Sequence, residues 1–340
     1  MIYRSKAPLR IGLAGGGTDV SPYSDLYGGA ILNATLSLYA YATLEVLEEP
    51  VVIINAIDQG KQLQYDWSET LPIDGQLDLQ KGVFNRVQKD YGIALPGLKL
   101  TTYVDVPAGS GLGTSSTLVV AIVGAFAELL RLPLGEYDMA HYAFEIERKD
   151  LNLAGGRQDQ YAATFGGVNY MEFYAEDKVV VNPLRIKREY LFELEHNLVL
   201  YFTSTSRDSS RIIEKQAENV VRKQQEAIEA MHQLKKQALL MKEALLKGKL
   251  SEIGEILDYG FQQKRKMAAG ISNDLIEELY AAAIRAGATG GKISGAGGGG
   301  FMIFYCPANT RYPVMKALSD FGGEVIKYEF VEHGLTRWTV

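Results

Sequence analysis

Glycine limits what this chain can become more than any other residue, because it gathers in three places. The clusters read "GLAGGGTD" (12–19), "PAGSGLGTSST" (107–117) and "GGKISGAGGGGFMIFY" (290–305). Glycine lets a backbone take positive φ and lets another group approach its N–H closely. The first cluster follows the strand-like "LRIGLAG". The second lies between the alternating "LKLTTYVDV" and "STLVVAIVGAFAELLRLPLG", which is apolar nearly all round and reads as a buried helix. The third opens the strand-like "FMIFY".

A helix N-terminus adds unpaired N–H donors and a partial positive charge, and together these bind phosphate. In 107–117 the loop enters its helix at about Thr114–Ser115. Backbone donors from Gly111 to Ser115 can therefore wrap phosphate oxygens, and a serine hydroxyl can reach Mg²⁺, which favours hard oxygen ligands. The plainer alternative is that Thr114 or Ser115 only caps the helix. A cap needs one hydroxyl, whereas here alternating glycines precede the hydroxyl run Thr114, Ser115, Ser116 and Thr117. The phosphate reading outweighs the cap. No lysine follows these glycines, so the pattern GxxxxGK[ST] is absent. "GAGGGG" (295–300) matches GxGxxG but opens a strand instead of a helix, which excludes a dinucleotide fold. Successive glycines there are entropically costly and point to a close approach.

Four charged residues stand out. Asp159, in "GGRQDQYAATFGG", is either a helix N-cap or a carboxylate able to orient or deprotonate a hydroxyl. Glu147, in "FEIERKDL", is by default a solvated charge near a helix end. Asp19 can cap a turn, but Ser21 before Pro22 is the better N-cap candidate, which leaves Asp19 for gripping sugar hydroxyls. Arg10 lies on an otherwise apolar strand and needs a partner there.

With 35 basic and 41 acidic residues the net charge is −6, which argues against a general nucleic-acid or membrane-surface role. Cys306 is the only cysteine, so no intrachain disulfide forms. The histidines at 141, 196, 232 and 333 lack metal-ligand spacing. No apolar run reaches the roughly 18 residues that span a bilayer. The N-terminus reads as a strand rather than a signal peptide, and the expected address is the cytoplasm.

"KGVFNRVQKDYG" predicts a helix ended by Gly92, and "VNYMEFYA" with "KVVVNPL" predicts a hairpin. After about residue 190 the texture changes. A charged, proline-free stretch from 207 to 249 reads as one long helix, followed by shorter helices near 252–268, 273–286 and 309–320 and the strand "EVIKYEFV". Strands and helices alternate without a regular repeat, so the expected class is α+β in two domains, 1–190 and 191–340.

These motifs, in this order, resemble the GHMP kinases: "APLRIGLAGGGTD", "PAGSGLGTSS" and "KISGAGGGGFMIF". The resemblance spans nearly the whole chain. "SKAPLRIGLAGGGTDVSPYSDLYGGAILNATL" and the stretch from Gly135 to Tyr174 are similar to the branch of D-glycero-D-manno-heptose 7-phosphate kinases. Fucokinase-type sugar 1-kinases share part of this. The resemblance implies an N-terminal domain like ribosomal protein S5 domain 2, a ferredoxin-like C-terminal domain, and phosphorylation of a small sugar phosphate by ATP with Mg²⁺. By the family pattern Gly109, Ser110, Gly111, Leu112, Gly113, Thr114, Ser115 and Ser116 wrap the nucleotide phosphates. Ser115 and Glu147 hold the metal. Asp159 is the base or orienting carboxylate, paired with Arg10. Gly17, Thr18 and Asp19 grip the sugar, and Gly297 and Gly298 close the site.

The chain has "GGGTD" where galactokinase-like sequences have Gly-Glu-His before Thr-Asp, which favours heptose phosphate or fucose over galactose. Glu147 also stands slightly further from Asp159 than in mevalonate kinase-like sequences. A substrate 7-phosphate needs basic or helix-terminal partners, and "TSRDSSR" (205–211) offers Arg207, Ser209, Ser210 and Arg211. The expected reaction forms the 1,7-bisphosphate. The alternatives are a fucokinase-like kinase of an unphosphorylated sugar or a catalytically silent sugar and ATP sensor. Homodimerisation stays open.

Overall fold

The first strand-like segment forms β1, Ile2–Ala14, which is buried along most of its length in this computed structural model. The structure describes residues 1–68, 70–205 and 210–340. After the short helix α1, Tyr23–Tyr27, comes β2, Gly29–Leu47, with β3, Val51–Ala56, and β4, Lys61–Asp66. Next are α2, Asp78–Tyr91, β5, Gly97–Val104, α3, Thr114–Leu130, and α4, Glu136–Glu145. Then follow α5, Gln158–Phe165, and the hairpin of β6, Val168–Phe173, and β7, Val179–Pro183.

β2 organises the first sheet because its length gives it two partners on one side. Its first part pairs β6, from Gly29 to Ala34, and its second part pairs β5, from Ala40 to Leu47. β1 runs antiparallel along the other side. The apolar α3 packs on β1 and β2, and its residues from Thr114 to Ala127 are almost all buried. That burial explains why it carries no polar stripe.

The second half contributes α6, Arg188–Asn197, β8, Leu198–Phe202, α7, Ser210–Val221, α8, Gln225–Lys247, and α9, Ile253–Arg265. It continues with α10, Asp274–Arg285, β9, Gly290–Ile293, β10, Phe301–Tyr305, α11, Arg311–Ser319, and β11, Glu324–Val325. The order β11-β8-β10-β9 makes a second, antiparallel sheet. Side chains alternate across a strand. On β10, Phe301, Ile303 and Tyr305 join the larger core, whereas Met302 and Phe304 join a second core with Phe261 and Met267. Both faces are covered, so "FMIFY" is apolar without interruption.

Two expectations are corrected. The long helix is broken at Arg222–Gln224, where Lys223 takes a left-handed conformation and the Gln224 N–H donates to the Asn219 carbonyl at 2.9 Å. The break lets α7 fold back on α8, so that Ile212 and Val220 reach the second core. "EVIKYEFV" is a strand only at Glu324–Val325. The chain then crosses to the first sheet, where Phe330 bridges Leu36, and ends in an unforeseen strand β12, Thr336–Thr339, beside β1. One segment that joins two sheets cannot stay in a single ladder.

Candidate active site

A cavity of ≈ 250 Å³ opens where the three glycine clusters meet. The N-termini of α3, α5 and α7 reach it through Thr114, Gln158 and Ser210. No side chain caps the α3 end, whose N–H groups and positive potential suit the cavity to anions.

Of the central loop, Gly109, Gly111, Gly113, Thr114, Ser115 and Ser116 line the cavity. Ser110 and Leu112 are fully buried and serve as anchors: the Ser110 carbonyl accepts from the Phe301 N–H at 2.9 Å, and the Leu112 carbonyl from the Arg10 N–H at 3.1 Å. Gly113 is the N-cap of α3, and no side chain caps that end. The hydroxyls of Thr114 and Ser115 therefore do not cap the helix. The third cluster presses on this loop. A Cβ on Gly300 would lie 2.3 Å from the Ser110 carbonyl oxygen, with φ at +88. The close approach for which that glycine is needed is backbone against backbone.

Arg10 and Asp159 meet at the cavity. The Arg10 Nε donates to Asp159 Oδ1 at 2.6 Å, and Nη1 donates to the Gly111 carbonyl at 2.7 Å. The arginine thereby ties carboxylate and loop together. Asp159 lies in the first turn of α5, but the N-cap position belongs to Arg157, and no side-chain cap comes from it.

That cap comes from Asp19. Its Oδ2 accepts from the N–H groups of Arg157 at 2.9 Å and Gln158 at 3.1 Å. Asp19 is buried and lines the cavity, and burial pushes its carboxyl above the usual range, with the Asp159 charge adding to the rise. Ser21 caps nothing: α1 begins after Pro22 without a side-chain cap. Gly17 lines the cavity, whereas Thr18 is buried beside it and donates to the Gly15 and Ala30 carbonyls at 2.8 and 3.0 Å.

Glu147 is also buried and lines the cavity, so it is not a solvated surface charge. It sits on a π-helical turn, Ile146–Asp150, that continues α4. Such turns shift a side chain off the α-helical period. The Gln160 Nε2 donates to Glu147 Oε2 at 2.5 Å and to Ser116 Oγ at 3.1 Å, which draws the carboxylate toward the start of α3. Among the described residues no group of three or more His, Cys, Asp or Glu is placed to hold a metal. One carboxylate and a serine hydroxyl still fit Mg²⁺, which keeps several waters and takes phosphate oxygens from a bound nucleotide.

Gly295 and Ala296 line the cavity, but Gly297 and Gly298 do not; they turn against Ile271, whose carbonyl accepts from the Gly298 N–H at 2.8 Å. Arg207 and Ser209 lie outside the described residues. Ser210 lines the cavity, and Arg211 is present on α7.

The structure adds two lysines that reading the sequence missed. Lys264 of α9 lines the cavity and donates to the Gly295 carbonyl. Its pKa is lowered to about 8 by burial, with Arg10 adding to the fall and Asp19 opposing it. Lys292 of β9 is buried just behind, donates to the Gly12 carbonyl at 2.8 Å, and titrates well below its usual range because of burial, Lys264 and Arg10. Lys292 left a trace in the sequence, as a charge on the apolar strand that enters the third cluster. Lys264, in "FQQKRK", left none.

Known proteins resemble this chain over nearly its whole length. The model described as GHMP kinases N terminal domain matches residues 78–167, and GHMP kinases C terminal matches 241–323. A D-glycero-alpha-D-manno-heptose 7-phosphate kinase of Campylobacter jejuni is 46% identical over 337 residues, covering 99% of each chain. The chain belongs to the GHMP kinase family. A crystal structure of a D-glycero-D-manno-heptose 1-phosphate kinase from Bacteriodes thetaiotaomicron superposes with a TM-score of 0.85 at 47% identity, covering 99% of each chain. Lactococcus lactis galactokinase, at 18% identity and a TM-score of 0.78, shares the fold. As a GHMP kinase the protein is a phosphotransferase with an alcohol group as acceptor. Among the described residues, no helix is long and apolar enough to cross a membrane.

Proposed function

We propose that this GHMP kinase transfers the terminal phosphoryl group of ATP to the anomeric hydroxyl of D-glycero-D-manno-heptose 7-phosphate. The product is the 1,7-bisphosphate, a precursor for nucleotide-activated heptose, and the working compartment is the cytoplasm. Residues 1–190 form the ATP-binding domain and 191–340 the C-terminal domain. One observation supports the chemistry above all: Asp159, fixed on Arg10, shares a cavity with the uncapped N-terminus of α3. The near full-length identity with the Campylobacter relative supports the substrate.

Phosphoryl transfer asks a protein mainly for positioning and charge neutralisation. Loop N–H groups from Gly109 to Ser116 hold the nucleotide phosphates. Asp159 aligns the hydroxyl in line with the phosphorus and receives its proton. The new O–P bond forms as the bond to the leaving oxygen of ADP breaks. An anomeric hydroxyl is more acidic than an ordinary alcohol, so an oriented carboxylate suffices. Ser115 or Ser116 and Glu147 hold Mg²⁺, which when bound neutralises phosphate charge. Asp19 and Gly17 face the sugar.

The test is ADP release with ATP and Mg²⁺ across heptose 7-phosphate, heptose 1-phosphate, free heptose, fucose and hexose 6-phosphates. Phosphorus NMR then locates the new ester. The expected result is turnover of the 7-phosphate with a new anomeric phosphate. Preference for fucose would replace the substrate, and no turnover of any sugar would leave a silent sensor.

A further inference from the structure

We propose that Lys264 is the missing lysine of the phosphate loop, supplied from the C-terminal half of the chain to bind a phosphate group of the substrates. The proposal rests on the kinase reading above. Several cations are buried in this protein, and they differ in what they face. Arg10 has Asp159 at 2.5 Å, Arg157 has Asp25 at 2.5 Å, and Lys81 has Asp74 at 2.5 Å and Asp78 at 3.0 Å. Lys292 serves the Gly12 carbonyl and does not line the cavity. Lys264 does line it, is 3% exposed, and has one hydrogen-bond partner, the neutral Gly295 carbonyl. No carboxylate lies within ion-pair distance of it among the described residues.

A buried ammonium without a counter-ion opposes folding. Its placement beside an open cavity means that a bound anion can supply the opposite charge. The neighbours locate that anion. Gly295, which holds the ammonium, is in contact with Gly111, and the Gly111 carbonyl is held by Arg10. Lys264 therefore stands beside the loop that carries no lysine of its own, with Arg10 and, beyond ion-pair distance, the carboxylate Asp19 as the charges that act on it. Burial keeps the lysine poised at a pKa of about 8, and a phosphate dianion next to it restores its full charge. Lys264 stands on α9 with its ammonium held by the Gly295 carbonyl, so it is in place before a ligand arrives.

Two substrates bring phosphate here, the nucleotide and the sugar phosphate, and separate titrations distinguish them. The dissociation constants of a non-hydrolysable ATP analogue with Mg²⁺ and of heptose 7-phosphate are measured on wild type, Lys264→Met and Lys264→Arg, with melting curves for each protein alone. The expected result is a loss of about tenfold or more for one of these ligands in Lys264→Met, as for a charge-assisted hydrogen bond, with most of it restored by arginine. The ligand that weakens names the phosphate. Without ligand, Lys264→Met melts no lower than wild type, because the uncompensated charge is gone. A lysine with only a structural role gives the reverse: a lower melting temperature and unchanged affinity for both ligands. That result overturns the proposal. Should the methionine variant not fold, Lys264→Gln is read by the same two criteria, and failure of both variants to fold counts as the structural role. Wild type that binds the analogue through Lys264 but turns over no heptose phosphate would remove the proposed substrate and leave this inference standing. Wild type that binds neither ligand removes both.

Discussion

Arg10 and Asp159, 149 positions apart, meet on a single carboxylate oxygen: Nε lies 2.6 Å and Nη2 2.5 Å from Asp159 Oδ1. The second oxygen, Oδ2, has no described hydrogen bond, and the residue lines the cavity. On the proposed function, one oxygen is held by Arg10 and the other receives the substrate hydroxyl. Asp159→Asn is expected to lower kcat by ~10²–10⁴ with little change in the KM for ATP, as for loss of a general base or orienting carboxylate. Steady-state kinetics with both substrates check this. Full activity in the variant ends the assignment.

Asp19 caps α5 and is proposed to face the sugar, and a conservative change separates the two roles. Its folded pKa lies above the ordinary 3.8, with burial as the main cause, so the folded protein binds more protons than the unfolded chain above pH 3.8. The stability contributed by this group therefore falls as pH rises from 3.8 through the raised pKa, above which the ionised form opposes folding. Asp19→Asn keeps a carbonyl for the Arg157 and Gln158 N–H groups. It is expected to melt at or above the wild-type temperature at pH 7 while raising the sugar KM about tenfold or more. Melting curves and sugar-dependent rates decide it.

The titration of Lys264 has the opposite sign. Its folded pKa is about 8 against an ordinary 10.5, so between those values the folded protein binds fewer protons than the unfolded chain. Stability from this group accordingly rises with pH across that window, and below it the charge opposes folding by about 3 kcal/mol. The stability advantage of Lys264→Met, measured without ligand by urea unfolding, is expected to shrink between pH 8 and pH 10. A constant gap contradicts the titration.

Gly111 takes φ at +86, and a Cβ there would sit 2.8 Å from the Ser294 carbonyl oxygen. Gly111→Ala is expected to destabilise the fold by about 1–3 kcal/mol and to raise the KM for ATP more than that for sugar. Thermal unfolding and initial rates at varied ATP test both parts.

Glu147→Gln keeps the shape of the side chain and removes its charge. The free Mg²⁺ needed for half-maximal rate is expected to rise about tenfold, with the rate partly recovered at high Mg²⁺. A Mg²⁺ titration at fixed ATP is the measurement, and an unshifted curve removes Glu147 as a metal ligand.

The sequence alone determined the local conformations. Glycines at 109, 111 and 113 mark a loop that must take positive φ, and each one does so. The unbroken apolar run of α3 marks a buried helix, and "FMIFY" marks a strand covered on both faces. These signals survive because backbone freedom and side-chain burial are set by short stretches of chain. The tertiary structure alone decided which charges meet. Asp19 caps a helix that begins 139 positions later, Lys264 stands beside a loop about 150 positions earlier, and the uniform helical period after Ser210 hides the break at Lys223. Each depends on how separate elements pack, and packing distances between remote side chains leave no periodic mark in the chain. The loop's absent lysine is the clearest case: local sequence shows only that it is missing, and the fold shows that Lys264 lines the same cavity.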